Sequence, residues 1–176
     1  MALASAAPWR RAALEILRDL DLPDCWIGAG FVRAPVWDAL HGHLMPTPLA
    51  DIDVIYFDAR QHGAAVDAHW ERLLGAAMPG LPWSVRNQAR MHLRNGDAPY
   101  RDTADALAHW LETPTCVAIR LGAEGPELLA PYGLSDLLDM VLRPTAAGRR
   151  KPGQIRQRID TKGWIRSWPR VTLGSG

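Results

Sequence analysis

Asp51-Ile52-Asp53-Val54-Ile55-Tyr56-Phe57-Asp58 is the stretch on which the reading of this chain turns. Its β-branched and aromatic residues favour a strand. Side chains alternate along a strand, so Asp51 and Asp53 fall on one face, opposite to Ile52, Val54 and Tyr56. Two neighbouring carboxylates repel unless positive charge lies between them. At the start of a strand they make a natural cradle for a divalent cation. Upstream, Ile27-Gly28-Ala29-Gly30-Phe31-Val32-Arg33 is a short apolar segment that breaks into a glycine-containing turn. Glycine there lets the backbone approach a phosphate closely. Together the two features point to metal-assisted chemistry on a nucleotide.

Outward from this stretch the chain alternates helical and extended patterns. Trp9, Ala13, Ile16, Leu17 and Leu20 recur at helical spacing, with Pro8 suited to a first turn, and predict a helix over 8–20. Residues 25–28 predict a short strand. Residues 31–41 predict a helix ended by Gly42, whose Pro35 must lie in the first turn to avoid a kink. The segment 43–50, with two prolines, reads as a loop. Further on, the patterns predict a helix over 61–78, a strand over 83–89 and a helix over 103–111 capped by Asp102 or Thr103. Strands over 115–121 and 127–130, joined by a turn, then precede a helix over 133–142. After Pro144 the chain reads as loop until a helix around 154–164. This order is that of an α+β or α/β protein.

A chain of 176 residues, 48% hydrophobic, fits one domain with a proper core. No segment approaches the ~18 apolar residues of a membrane span, and residues 1–11 carry no signal pattern. Cys25 and Cys116 read as two buried thiols in a reducing compartment, so a cytoplasmic location is expected. Charge is unevenly spread. Residues 143–176 carry nine basic residues against one acidic, a net +8, while residues 1–142 hold 11 basic and 18 acidic, a net −7. The expected organisation is a domain over 1–142 with a basic extension over 143–176 packed on it. Such a strip suits a polyanion such as RNA. The acidic body is the competing, intramolecular partner, and the more obvious one.

The residues Gly28-Ala29-Gly30 followed by Asp51-Ile52-Asp53 resemble the pattern of the nucleotidyltransferase superfamily that includes DNA polymerase β. Ala29-Gly30-Phe31-Val32-Arg33 also looks like an element of tRNA nucleotidyltransferases. The whole chain is similar to a small bacterial nucleotidyltransferase-like family. The landmarks are Gly30 to Arg33, Val36-Trp37-Asp38, Asp51 to Asp58, Asn87 to His92, Ala130 to Asp136 and Trp164 to Pro169. The resemblance implies an α+β nucleotidyltransferase fold, a small mixed β-sheet flanked by helices. It implies metal-dependent transfer of a nucleoside monophosphate from an NTP to a hydroxyl of unknown identity, with Mg²⁺ or Mn²⁺ as cofactor. Asp51 and Asp53 would be the catalytic, metal-holding pair, and Gly28, Gly30 and Arg33 would bind nucleotide. Arg33 either contacts phosphate or pairs with a carboxylate.

Two departures from the superfamily pattern stand out. The spacer from Gly30 to Asp51 is long, and no third carboxylate is evident. Asn87, on the strand expected to supply one, is the candidate third ligand; its amide oxygen can coordinate Mg²⁺ but cannot act as a base. Glu127 is a remoter candidate, and Asp58 has the wrong strand parity. A missing acid favours the alternative function, a non-catalytic nucleotide-binding or regulatory module such as a toxin–antitoxin-like partner. An unrelated α+β domain with incidental acids is a third reading. His41 and His43 read as surface residues rather than zinc ligands. Trp9, Trp70 and Trp110 read as core, and Trp37 and Trp83 as core or as base platforms. Arg86, Arg90 and Arg94 read as phosphate contacts or an ordinary solvated set.

Overall fold

The computed structural model describes residues 7–61 and 63–175. The aspartate stretch forms β2 (Ile52–Tyr56) in a five-stranded mixed sheet of order β3-β2-β1-β4-β5. Its other strands are β1 (Trp26–Gly28), β3 (Trp83–Asn87), β4 (Ala118–Gly122) and β5 (Gly125–Leu129). β2 and β3 are parallel, and so require the crossover helix α3 (Ala64–Ala77) between them. The β1–β2, β1–β4 and β4–β5 pairings are antiparallel. The remaining helices are α1 (Pro8–Leu20), α2 (Gly30–His41), α4 (Met91–Asn95), α5 (Thr103–Ala108), α6 (Ser135–Leu138), α7 (Ala146–Arg149), α8 (Pro152–Lys162) and α9 (Trp164–Ser167). A small parallel pair, β6 (Val141–Leu142) and β7 (Thr172–Leu173), completes the fold.

Strand alternation sorts the core. Ile52, Val54 and Tyr56 join Ile27, Val85 and Ile119 in one cluster with Leu14 of α1, Phe31 and Trp37 of α2 and Leu74 of α3. Trp164, Trp168 and Val171, from the basic C-terminal stretch, belong to the same cluster. Ile55 belongs to a smaller cluster with Trp26, Leu107, Cys116 and Ala118. Asp53 shares the parity of Ile55 and so faces away from the main core, and Asp51 immediately precedes the strand.

Several expectations are corrected. Pro35 lies in the second turn of α2, not the first. A proline there cannot donate to the Phe31 carbonyl. That carbonyl instead accepts from the guanidinium of buried Arg10, which lies over the Trp9 and Phe31 rings. The helix expected over 133–142 is only α6, because Met140 takes a positive φ of 57° and the chain turns into β6. The strand expected over 83–89 ends at Asn87, whose side chain accepts from Ala89 N and starts a 3₁₀ turn. A 3₁₀ turn over Thr113–Thr115 precedes β4, and the loop expected after Pro144 contains α7. Trp37 is fully buried, donates to Leu137 O at 2.8 Å and stacks edge-on against Trp168, so it is no base platform. No helix of the described residues is long and apolar enough to cross a membrane.

Candidate functional site

The site is built on the N-terminal end of β2. The parallel register sets Ser84 of β3 against Asp53, and the pairing of Ile27 with Val54 brings Gly28 of β1 beside Asp53 on its other flank. A side chain at Gly28 would press on Trp110, with its Cβ only 3.1 Å from Trp110 Cη2. The glycine is therefore needed for close packing at the floor of the site. The turn after β1 is pinned by Ala29 N donating to Val117 O at 2.8 Å. Ala29 takes φ 44° and ψ −111°, a conformation that suits glycine better than alanine. The first intrahelical bonds of α2 run from Val32 N and Arg33 N to Ala29 O. The N–H groups of Gly30 and Phe31 precede them at the positive end of the helix dipole.

Above this floor the two aspartates differ. Asp51 is partly exposed, and its Oδ2 accepts from Lys162 Nζ of α8 at 2.9 Å. Asp53 is pushed up from the usual 3.8 to about 6, first by burial and then by the neighbouring Asp51 charge. Lys162, Arg158 and Arg33 offset part of that. Arg33, one turn into α2, is buried between two indoles, 5.1 Å from the Trp37 ring and 4.7 Å from the Trp164 ring. Its Nε has no hydrogen-bond partner among the described residues. Burial pulls it down to about 10, against the raising effects of Glu112, Asp53 and Asp51. Arg158, one turn before Lys162 on α8, forks onto Glu112 through Nε at 3.0 Å and Nη2 at 3.3 Å, and also lies over Trp164. The Glu112 side chain is only 1% exposed and accepts in addition from the Thr115 hydroxyl. The site thus gathers three carboxylates (Asp51, Asp53, Glu112) and three cations (Arg33, Arg158, Lys162).

Asn87 is not part of it. It pairs with Tyr56 at the far end of β2, and its amide donates to Asp58 O and Gln61 O while its carbonyl accepts from Asp58 N and Ala89 N. It ties down the loop after β2 and has no acceptor turned towards Asp53, which corrects its reading as a third ligand. Glu127 is paired with Arg120 on the β4–β5 hairpin. Arg86 pairs with Glu71 and Arg90 with buried Asp67. His43 bonds to Asp38 and His41 to Trp37 O, consistent with structural roles. Both thiols are protonated: Cys25 is pushed up to about 12, mainly by burial, and burial likewise raises Cys116.

Sequence reasoning missed Ser84, Glu112, Arg158, Lys162 and Trp164. One signal was available. Arg158 and Lys162 stand four residues apart in a segment read as helical, and therefore share a face. The opposing acids come from segments far away in sequence and carried no such signal.

A family model described as nucleotidyltransferase matches residues 15–173. Among solved structures, one determined by NMR and described as revealing a CCA-adding enzyme head domain is 32% identical, with a TM-score of 0.85 over 97% of this chain and 92% of that one. A tRNA-processing enzyme solved with CTP is 18% identical, TM-score 0.56, over 92% of this chain and 43% of that one. The Thermotoga maritima CCA-adding enzyme complexed with tRNA is 19% identical, TM-score 0.53, over 85% of this chain and 35% of that one. The chain spans less than half of these two larger enzymes, which share its fold. No match is found among functionally curated proteins. With its mixed sheet, its glycine turn and the paired aspartates at the start of β2, the chain belongs to the nucleotidyltransferase family, within the DNA polymerase β superfamily.

Proposed function

We propose that the protein transfers a nucleoside monophosphate from an NTP to a hydroxyl, with Asp51 and Asp53 holding Mg²⁺ or Mn²⁺. One observation carries this reading. Asp53 lies on β2 beside Gly28 with Asp51 just before the strand, close enough for its charge to act on Asp53, within the field of a buried guanidinium, Arg33, whose Nε lacks a partner among the described residues. The donor set fits a hard divalent cation. Its oxygens are anionic, burial and mutual repulsion already raise Asp53, and the ammonium of Lys162 is drawn to the same pair. Bound there, divalent ions activate the attacking hydroxyl and neutralise the leaving pyrophosphate.

The chain's own residues supply the rest. Gly28 keeps the floor flat, and the first turn of α2 offers backbone N–H groups to phosphate oxygens. Arg33 supplies fixed positive charge in a poorly solvated place, where it stabilises developing negative charge most effectively. Gly30 permits close approach of the backbone. The relatives described as solved with CTP and with tRNA make an RNA 3′ hydroxyl the first acceptor to test. Arg149, Arg156, Arg166 and Arg170 are exposed and pair with no carboxylate among the described residues, as a polyanion-binding surface would require.

A second reading, nucleotide binding without transfer, is favoured by one feature. Glu112, the third carboxylate nearby, is taken up by Arg158 and Thr115, no group of three metal ligands forms among the described residues, and Ser84 stands in register with Asp53. The deciding experiment is transfer of label from α-³²P NTPs, with Mg²⁺ or Mn²⁺, to tRNA lacking its 3′ end and to small hydroxyl acceptors. Label transfer that disappears in Asp53→Asn is expected. Nucleotide binding without transfer, indifferent to that substitution, would leave the second reading.

A further inference from the structure

We infer that Arg33, Arg158 and Lys162 form the triphosphate subsite of this site, and that Lys162 doubles as the counter-ion of Asp51 that a divalent cation displaces. The inference rests on the nucleotide reading above and extends it to α8, which lies outside both the β1–turn–α2 unit and the β2 segment that carries the aspartates.

Three observations support it. First, the two guanidiniums are fixed in advance. Trp164 lies 4.7 Å from Arg33 Cζ and 5.6 Å from Arg158 Cζ, so one indole holds both, and Glu112 anchors Arg158 from below. Second, Arg33 is buried with an unpartnered Nε, although three carboxylates lie close enough to raise its affinity for a proton. A buried donor without a partner is costly, and a phosphate oxygen would satisfy it. Third, Lys162 is exchangeable. Its pair with Asp51 lies at the surface, with side chains 34% and 41% exposed, and such pairs contribute little.

Charge balance explains the exchange. Without nucleotide, three carboxylates face three cations. An NTP with its divalent ions is itself close to neutral, so the site stays balanced only if partners are swapped. Asp51 and Asp53 turn to the divalent ions, and Lys162, released from Asp51, turns to the phosphates. Lys162 therefore opposes binding of the bare cation and favours binding of the triphosphate.

Calorimetric titration of the full chain tests these opposite signs, first with Mn²⁺ alone and then with Mn²⁺ plus α,β-methylene-ATP or α,β-methylene-CTP. In Lys162→Met, Mn²⁺ alone should bind about threefold tighter, whereas the triphosphate analogue should bind about tenfold weaker. AMP and CMP should bind as in the wild type, and Lys162→Arg should recover the triphosphate affinity. Unchanged affinities in Lys162→Met, or shifts of both in one direction, would overturn the inference while leaving the nucleotide reading intact. A wild-type chain that binds neither analogue would overturn both.

Discussion

Asp53→Asn should make the metal-free protein more stable, and only above a definite pH. Asp53 is held at about 6 rather than 3.8, so ionising it in the folded chain costs about 3 kcal/mol relative to the unfolded chain. The sign follows from proton binding. Between pH 4 and 6 the folded state binds the proton more tightly than the unfolded state, so wild-type stability falls as pH rises through that window. Above it the penalty is complete. Asparagine keeps the shape and never ionises. None of the hydrogen bonds described in the fold ends on the Asp53 carboxylate, so the amide forfeits no partner there. The variant should match wild type at pH 4 and exceed it by up to about 3 kcal/mol at pH 8. For a chain of this size that is a rise in melting temperature of about 6–12 °C. Urea denaturation in EDTA at a series of pH values is the assay. Added Mn²⁺ should stabilise wild type above pH 6, by about 2.7 kcal/mol at a hundredfold excess over Kd, which nearly closes the gap, and should stabilise the variant less. A variant less stable than wild type at pH 8, or one offset from it equally at every pH, would refute the burial argument for Asp53.

Two further substitutions probe the frame around the site. Glu112→Gln strands the Arg158 guanidinium against a buried amide and should cost about 2–3 kcal/mol by urea denaturation, discounted for the partial exposure of Arg158; a loss under about 0.5 kcal/mol would mean that the fork is not structural. Ala29→Gly relieves a backbone conformation at φ 44° and should raise stability by about 1 kcal/mol, read as a shift in denaturation midpoint at constant slope; a loss would show that alanine sits there without strain.

The sequence was most legible where a signal is local. The β2 strand, α1, the glycine turn and the aspartate pair all follow from periodicity or from residues within one element. It was misleading wherever a tertiary partner decides. Pro35 reads as a helix-breaker outside the first turn, yet α2 tolerates it because Arg10, 21 residues earlier in sequence, takes the freed Phe31 carbonyl. Asn87 reads as the stand-in for a third acid because it is the evident polar residue of its strand. Only the register, which sets Ser84 and not Asn87 against Asp53, moves it to the other end of the sheet. A one-element pattern does not encode where two parallel strands begin relative to each other.

The charge asymmetry was visible as a sum but not as a set of contacts. The C-terminal cations reach their acids across the whole chain: Lys162 meets Asp51 over 111 residues and Arg158 meets Glu112 over 46. Arg150 likewise finds Asp97 over 53 residues, whereas Arg143 pairs with Asp136 only seven residues before it. Long-range electrostatics of this kind sets no period and leaves no motif. It nonetheless divides the basic stretch into two classes with different consequences. The cations that found carboxylates are part of the fold and of the candidate site, and removing them alters stability or nucleotide affinity. Arg149, Arg156, Arg166 and Arg170 found none, and stand exposed. If the net +8 of the stretch serves only to neutralise the acidic body, neutralising these four leaves every function intact. If an RNA acceptor is held there, the same change lowers its affinity and flattens the salt dependence, without touching the binding of a free triphosphate.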